Sequence, residues 1–171
     1  MSCNLTAGWT VGCSDSNGGV EAVFIANGKV EGFTESNGEV SAITVAGAPL
    51  VPADFFKFEV PKQTSLFEEE IEASTENGTV MYTQSLTLVF NKLEAAKRNQ
   101  ILLMAQNEDL VVVVKDNNGK YWSVGLERGA TVTAGTLTTG QSYADRNGGE
   151  LTISGMEKLP SFEVSEAILV A

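Results

Sequence analysis

The sequence predicts a mainly β fold, two packed antiparallel sheets in a sandwich or barrel-like arrangement, with one flanking α-helix and one long hairpin. Three observations predict it. Asn-Gly pairs punctuate the chain at 17–18, 27–28, 37–38, 77–78, 118–119 and 147–148. Several runs alternate apolar and polar residues with period two, and a single stretch has helical spacing. Asn-Gly suits a type I′ hairpin turn because both central residues need positive φ. The first three pairs are ten residues apart, but the later three are irregularly spaced, which favours hairpins over a solenoid repeat. A calcium loop is disfavoured: Asp15-Ser-Asn17-Gly18 and Asp116-Asn-Asn118-Gly119 both lack the third oxygen ligand and the distal Glu of the twelve-residue pattern.

A chain of 171 residues with 43% hydrophobic and 19% charged side chains is long enough for one well-buried core. The expectation is a single domain over 1–171, with an N-terminal β-meander and loop at 1–54 and a core at 55–171 that holds the long hairpin and the helix. In the first part, strands are expected at 20–26, 29–34 and 39–45. The connection Ala48-Pro-Leu-Val-Pro52 breaks regular pairing, because proline cannot donate to a ladder. It is expected to lie outside the core, with Pro49, Pro52, Phe55 and Phe56 as candidate contacts to a neighbouring subunit or ring.

Residues 55–90 read as one long hairpin. Val80, Tyr82, Leu86, Leu88 and Phe90 fall on one face of its second strand, and Thr83, Ser85 and Thr87 on the other. Its first strand places Phe67, Glu69, Ile71 and Ala73 opposite Glu68, Glu70 and Glu72. Three carboxylates on one face of one strand repel each other and are costly to bury unpaired, so that face must meet water. A helix is expected over 91–106, with Asn91 as cap, Glu94 three residues on, a Glu94–Arg98 pair, and an apolar side of Leu93, Ala96, Ile101, Leu103 and Met104 against a sheet. The rest returns to strands: a hairpin with its tip at 115–120 whose run Leu110 to Val114 is covered on both faces, then strands at 129–140 and 150–156 around the turn at 145–149. Trp122 reads as core.

The residue types leave several functions unsupported, although two carboxylates could still do the acid–base work of a glycosidase. The chain has no histidine and only two cysteines, so the usual general base and the Ser/His and Cys/His pairs are missing, and neither a catalytic site, a metal site nor a cofactor is expected. Gly140-Gln-Ser142-Tyr-Ala144 lacks the last glycine of a nucleophile elbow and reads as a loop. Cys3 and Cys13 are either a disulfide or, equally, two small buried thiols. The net charge is −11, with 12 acidic against 3 basic residues in 1–90 and 10 against 8 thereafter. Such a surface repels phosphates and disfavours specific nucleic-acid binding. No run is long enough to span a bilayer, and the N-terminus has no basic segment of a signal peptide.

The order of elements resembles that of bacteriophage tail tube (major tail) proteins, of the kind found in phages and prophages of Bacteroidetes-type bacteria. The resemblance rests on Phe67-Glu-Glu-Glu-Ile71 leading through Glu76-Asn-Gly78 into Tyr82-Thr-Gln-Ser-Leu86-Thr-Leu88, then Ile101-Leu-Leu-Met-Ala105, Val114-Lys-Asp116-Asn-Asn-Gly119-Lys-Tyr-Trp122, Thr139-Gly-Gln-Ser-Tyr-Ala-Asp145 and Leu151-Thr-Ile-Ser-Gly155. The segment with Cys3, Cys13 and Gly19-Val20 also looks like that family's N-terminus. The resemblance implies a structural virion protein, made in the bacterial cytoplasm, that self-associates as hexameric rings stacked into a tube. It implies contacts with other tail proteins and, in a contractile tail, a sheath. The bore would be a β-barrel of long hairpins through which DNA passes without specific binding, with Glu68, Glu70, Glu72, Thr83, Ser85 and Thr87 as candidate channel-lining residues. The alternative is a capsid decoration or fibre protein, or another β-sandwich binding module.

Overall fold

The computed structural model describes residues 3–170 and is mainly β, with 49% of residues in strands and 11% in helix. In chain order the elements are β1 (Val20–Asn27), β2 (Val30–Ser36), β3 (Glu39–Val45), β4 (Ala48–Pro49), β5 (Phe56–Glu59), β6 (Leu66–Ser74), β7 (Thr79–Asn91), α1 (Ala95–Gln106), β8 (Leu110–Asp116), β9 (Tyr121–Val124), β10 (Thr131–Thr138), β11 (Gly148–Glu157) and β12 (Glu163–Val164). One sheet runs β2-β3-β12-β9-β8-β1-β5, with β4 added to β3, and the other runs β10-β11-β7-β6. The short β12 pairs parallel to β3 and antiparallel to β9, which joins the β2–β3 hairpin to the centre of the larger sheet.

The larger sheet has a core on each side. Leu110, Val112 and Val114 of β8 pack with Leu86, Leu88, Leu151, Ile153 and Met104, between the two sheets. Val111 and Val113 pack on the opposite side with Phe24, Ile43, Tyr121, Ile168 and Leu169. All five consecutive residues Leu110 to Val114 are buried, as a continuous apolar run requires when neither face meets water. β1 does the same with a shifted register at Val20/Ala22. That bulge puts Val20 on the face of Val23 and Ile25, while Ala22, Phe24 and Ala26 serve the other core.

Gly155 of β11 and Gly125, just past β9, mark a close approach of the two sheets. A Cβ on Gly155 would lie 2.8 Å from the Cα of Gly125, and one on Gly125, whose φ is +66°, would lie 2.6 Å from the amide nitrogen of Ala130. Ala130 and Leu110 exchange two backbone hydrogen bonds of 3.1 Å, which ties β8 to the start of β10.

Several expectations are corrected. Of the Asn-Gly pairs only Asn37-Gly38 has the paired positive φ values of a type I′ turn, 55° and 83°, and it closes the β2–β3 hairpin; Ala46-Gly47 also has such a pair, between β3 and β4. Asn27-Gly28 closes none: β1 pairs with β5 and β8, not β2, and Gly28 N–H donates to the Asp109 carbonyl. The long hairpin is β6–β7 alone, because Phe56–Glu59 crosses to the other sheet and pairs with β1. The helix starts at Ala95, not Asn91. Asn91 is held in the ladder opposite Gly148, Glu94 occupies the N-cap without a side-chain cap bond, and Glu94 pairs with Lys92 and Lys97 in place of Arg98. Met104 is buried and Ile101 partly so, whereas Leu93, Ala96 and Leu103 are exposed; the helix meets the core on a narrower side than its sequence implies. Cys3 and Cys13 are exposed free thiols, neither bonded nor buried. Trp122 is half-buried, its Nε1 donating to Asp116 Oδ2 at 3.1 Å. Among the described residues no helix is long and apolar enough to cross a membrane.

Because β8 belongs to both cores, damage to either is expected to be felt by the whole chain. Leu86→Ala in one core and Ile43→Ala in the other should each cost about 2–5 kcal/mol and lower one shared unfolding transition. Scanning calorimetry that resolved a separate early transition for Ile43→Ala would show the larger sheet melting independently.

Candidate functional site

The four-stranded sheet turns one face to the core and one to water. On the inner face Phe67, Leu86, Leu88, Leu151 and Ile153 contribute to the shared core. Opposed residues of an antiparallel pair share a face, so the register defines the outer one. Glu68 lies opposite Ser85, Glu70 opposite Thr83 and Glu72 opposite Met81. β7 in turn sets Thr87, Ser85 and Thr83 against Thr152, Ser154 and Met156 of β11, and β10 adds Thr131 opposite Ser154 and Thr136 opposite Glu150. One row across the sheet therefore reads Thr131, Ser154, Ser85, Glu68. Glu68, Glu70 and Glu72 are exposed, and Thr83, Ser85 and Thr87 are half-exposed. Thus the six residues picked out for the wet face do share it, and the hydroxyl-rich extension over β10 and β11 was missed. The signal was present in the threonines of 131–139, but only the register places them beside the glutamates.

The whole sheet lacks cations. β6, β7, β10 and β11 carry Glu68, Glu69, Glu70, Glu72, Glu150 and Glu157 and no lysine or arginine, although the chain has 11 basic residues. Successive outward glutamates of β6 stand about 7 Å apart along the strand, a spacing at which repulsion is tolerable only with water and salt between them.

The two glutamates that point inward are satisfied by neutral donors. Glu69 Oε2 accepts from Gln84 Nε2 at 3.0 Å and from the Ser161 N–H at 2.7 Å, and Gln84 Oε1 accepts from the Gly125 N–H at 2.8 Å. Gln84 is 2% exposed, so this chain of bonds locks the hairpin onto the larger sheet at mid-length. Glu157, also 2% exposed, accepts from the backbone N–H groups of Glu127 and Arg128. Burial pushes its carboxyl above the usual range, and those two N–H groups offset part of the rise.

Past the Gln84 lock the hairpin leaves the core. Ile71 and Val80, on the inner face, are 63% and 51% exposed. The sheet also has two open sides, β6 at one edge and β10 at the other. Its strand number is even and its pairings are antiparallel, so β6 of one copy and β10 of the next would run antiparallel in any head-to-tail array.

The loop residues divide. Phe55 is buried in the core on the far side of the larger sheet, because a 3-10 turn at Pro52–Asp54 directs it inward. It serves its own chain and is not available to a neighbour. Pro49 is exposed but paired in β4 with Thr44, Pro52 is half-buried, and Phe56 is 58% exposed. Among the described residues, no three His, Cys, Asp or Glu side chains lie together as a metal-binding group. No known protein family matches the chain, and no curated protein does either.

Two outcomes follow from the polar seam. Gln84→Leu should cost about 1–3 kcal/mol by leaving the Gly125 N–H without a partner and Glu69 with only the Ser161 N–H, and hydrogen exchange should then quicken at β6 before β11. A carboxyl raised in the folded state contributes most favourably below its unfolded pKa and loses that contribution as pH rises through the folded value. Relative to Glu157→Gln, the parent should therefore gain stability as pH falls from neutral into the carboxylate range, read as the difference between two series of thermal melts. A difference that stays constant with pH would show that Glu157 is not desolvated.

Proposed function

We propose that the protein is a structural subunit of a phage tail tube: its four-stranded sheets join edge to edge, β6 of one copy to β10 of the next, in hexameric rings that stack around a channel for DNA. The observation that carries this reading is the cation-free outer face of that sheet, mainly threonine, serine and glutamate with Leu66, Met81 and Met156 among them, bounded by two open edges of compatible direction. An exposed edge left unpaired invites uncontrolled association, and ring closure removes it. The order of elements, which resembles phage tail tube proteins, supports the six-fold number and a place in the virion. Six such sheets would form a barrel of about 24 strands and, at ordinary strand spacing and tilt, a backbone diameter of roughly 50 Å, wider than a DNA duplex even after side chains are added.

The chemistry of the face suits transit. Copies of Glu68, Glu70, Glu72 and Glu150 facing one channel repel the phosphate backbone, and with no lysine or arginine beside them there is nothing to hold it. DNA would slide without sticking. The role is structural, not catalytic, and the further partners are other tail proteins and, in a contractile tail, a sheath.

Negative-stain microscopy and light scattering test the reading. Rings or tubes should form, and form more readily as salt screens the repeated carboxylates. Ile71→Glu with Val80→Glu should abolish association while leaving the circular dichroism of the monomer unchanged. Glutamine at 68, 70 and 72 should spare the tubes and weaken their salt dependence. Monomers or trimers at every salt and concentration would favour a decoration or fibre module instead, and a reconstruction with Glu68, Glu70 and Glu72 on the outside of the tube would overturn the channel.

A further inference from the structure

We propose that residues 4–13 form an arm that docks on a second copy of the chain, adding a strand beside β5 and filling the apolar groove next to it. The sequence of this arm has the alternation of a strand. Leu5, Ala7, Trp9, Val11 and Cys13 fall on one side and Thr6, Gly8, Thr10 and Gly12 on the other. It carries no charge from Cys3 to Ser14, in a chain that is 19% charged. Yet it belongs to neither sheet, and Leu5, Trp9 and Val11 are 96%, 95% and 98% exposed. Three large apolar side chains in water on one strand-like segment are a docking face without a dock.

A matching acceptor lies at the edge of the larger sheet, two strands from β8. β5 ends that sheet and pairs only with β1, so one side of its backbone is open to a further strand. Beside it, between β5, β7 and α1, runs a groove of about 560 Å³ lined by Phe58, Leu88, Phe90, Met104, Leu151 and Ala96, with Lys57, Glu59 and Lys97 also along it. Strand addition of this kind takes affinity from main-chain hydrogen bonds and specificity from pockets for alternate side chains. The spacing of Leu5, Trp9 and Val11 supplies those side chains, and an uncharged arm enters an apolar groove without stranding a charge.

The arm is held at its root by the turn between β8 and β9, and none of Leu5, Trp9 and Val11 lines the groove of its own chain. Asn17 N–H donates to Asn118 Oδ1 at 2.8 Å, Asn117 Nδ2 donates to the Gly18 carbonyl at 2.7 Å, and Asn118 Nδ2 donates to Ser16 Oγ at 3.2 Å. These bonds fasten the arm to the β8–β9 turn, and β8 and β5 flank β1 on opposite sides. Donor arm and acceptor groove are different surfaces of one chain, the arrangement of a heterologous contact that propagates from copy to copy. The inference deepens the tube reading by naming a second joint between subunits, separate from the β6–β10 edge.

Trp9 and Trp122 are the only tryptophans, so Trp122→Phe makes Trp9 the sole reporter. Its emission should move to shorter wavelength as concentration rises, in step with association by light scattering, and Trp9→Ala should weaken association about tenfold or more. Ala96→Glu, a change at an exposed helix position, should block the groove. Neither that variant nor a chain lacking residues 3–15 should make the arm contact alone, but mixed together they should bind each other through the arm of the first and the groove of the second. Rings that form while Trp9 keeps the emission of a water-exposed indole would overturn the arm and leave the tube reading standing. A short-wavelength Trp9 in dilute monomer would place the arm in its own groove and overturn docking on a second copy. Should the full chain never associate, the tube reading falls, and a synthetic peptide of residues 4–15 with Cys13→Ser still decides the arm: binding to the armless chain supports the groove, and no binding overturns it.

Discussion

The structure depends on one strand that is dry on both faces. β8 presents Leu110, Val112 and Val114 to one core and Val111 and Val113 to the other, at about 1.5–3 kcal/mol for each side chain buried. Everything else is placed by reference to it. β1 and β9 flank it, and the smaller sheet closes over its first face. The short C-terminal strand β12 and the 3-10 turn at Glu166–Ile168 close over the second, bringing in Val164, Ile168 and Leu169. β-branched valine fits this position because it packs densely on a pleat and has little rotamer freedom to lose.

With the apolar work concentrated there, the smaller sheet is free to be hydrophilic on its other side. Its electrostatics are consistent to an unusual degree. Outward carboxylates have water for company, and the two inward ones are held by a glutamine amide and backbone N–H groups in place of a lysine or arginine. Opposite charges elsewhere on the chain do pair, as in Lys115 with Glu21 and Lys120 with Glu163 at 3.1 and 2.6 Å. Those pairs lie on the larger sheet, exposed, where each is worth little. The smaller sheet thus carries one sign of charge.

Edges and flanks set what one copy leaves unfinished. Both edges of the smaller sheet are open, the hairpin extends past its own core with Ile71 and Val80 in water, and an apolar arm and a largely apolar groove are both left exposed. Each of these is a liability for a lone monomer. In a closed assembly each becomes half of a contact.

The sequence by itself determined the β class, the limits of β6 and β7 to within a residue or two, the burial of Leu110 to Val114 and the shared face of Glu68, Glu70, Glu72, Thr83, Ser85 and Thr87. Period two is local, and it survives whatever the strand packs against. Only the tertiary structure decided which strands meet. Asn27-Gly28 carries the same turn signal as Asn37-Gly38, yet β1 chose β5 and β8, because a strand apolar on both faces gains more inside a sheet than in a hairpin with the half-exposed β2. Asn91 has the residue type of a helix cap, but the ladder with Gly148 claimed it. Phe55 looked like a loop aromatic until the 3-10 turn before it aimed the ring inward. The cation-free face needed the same information: β10 and β11 lie more than forty residues from β7, and no local pattern records which distant strand will complete a hydrogen-bonded edge.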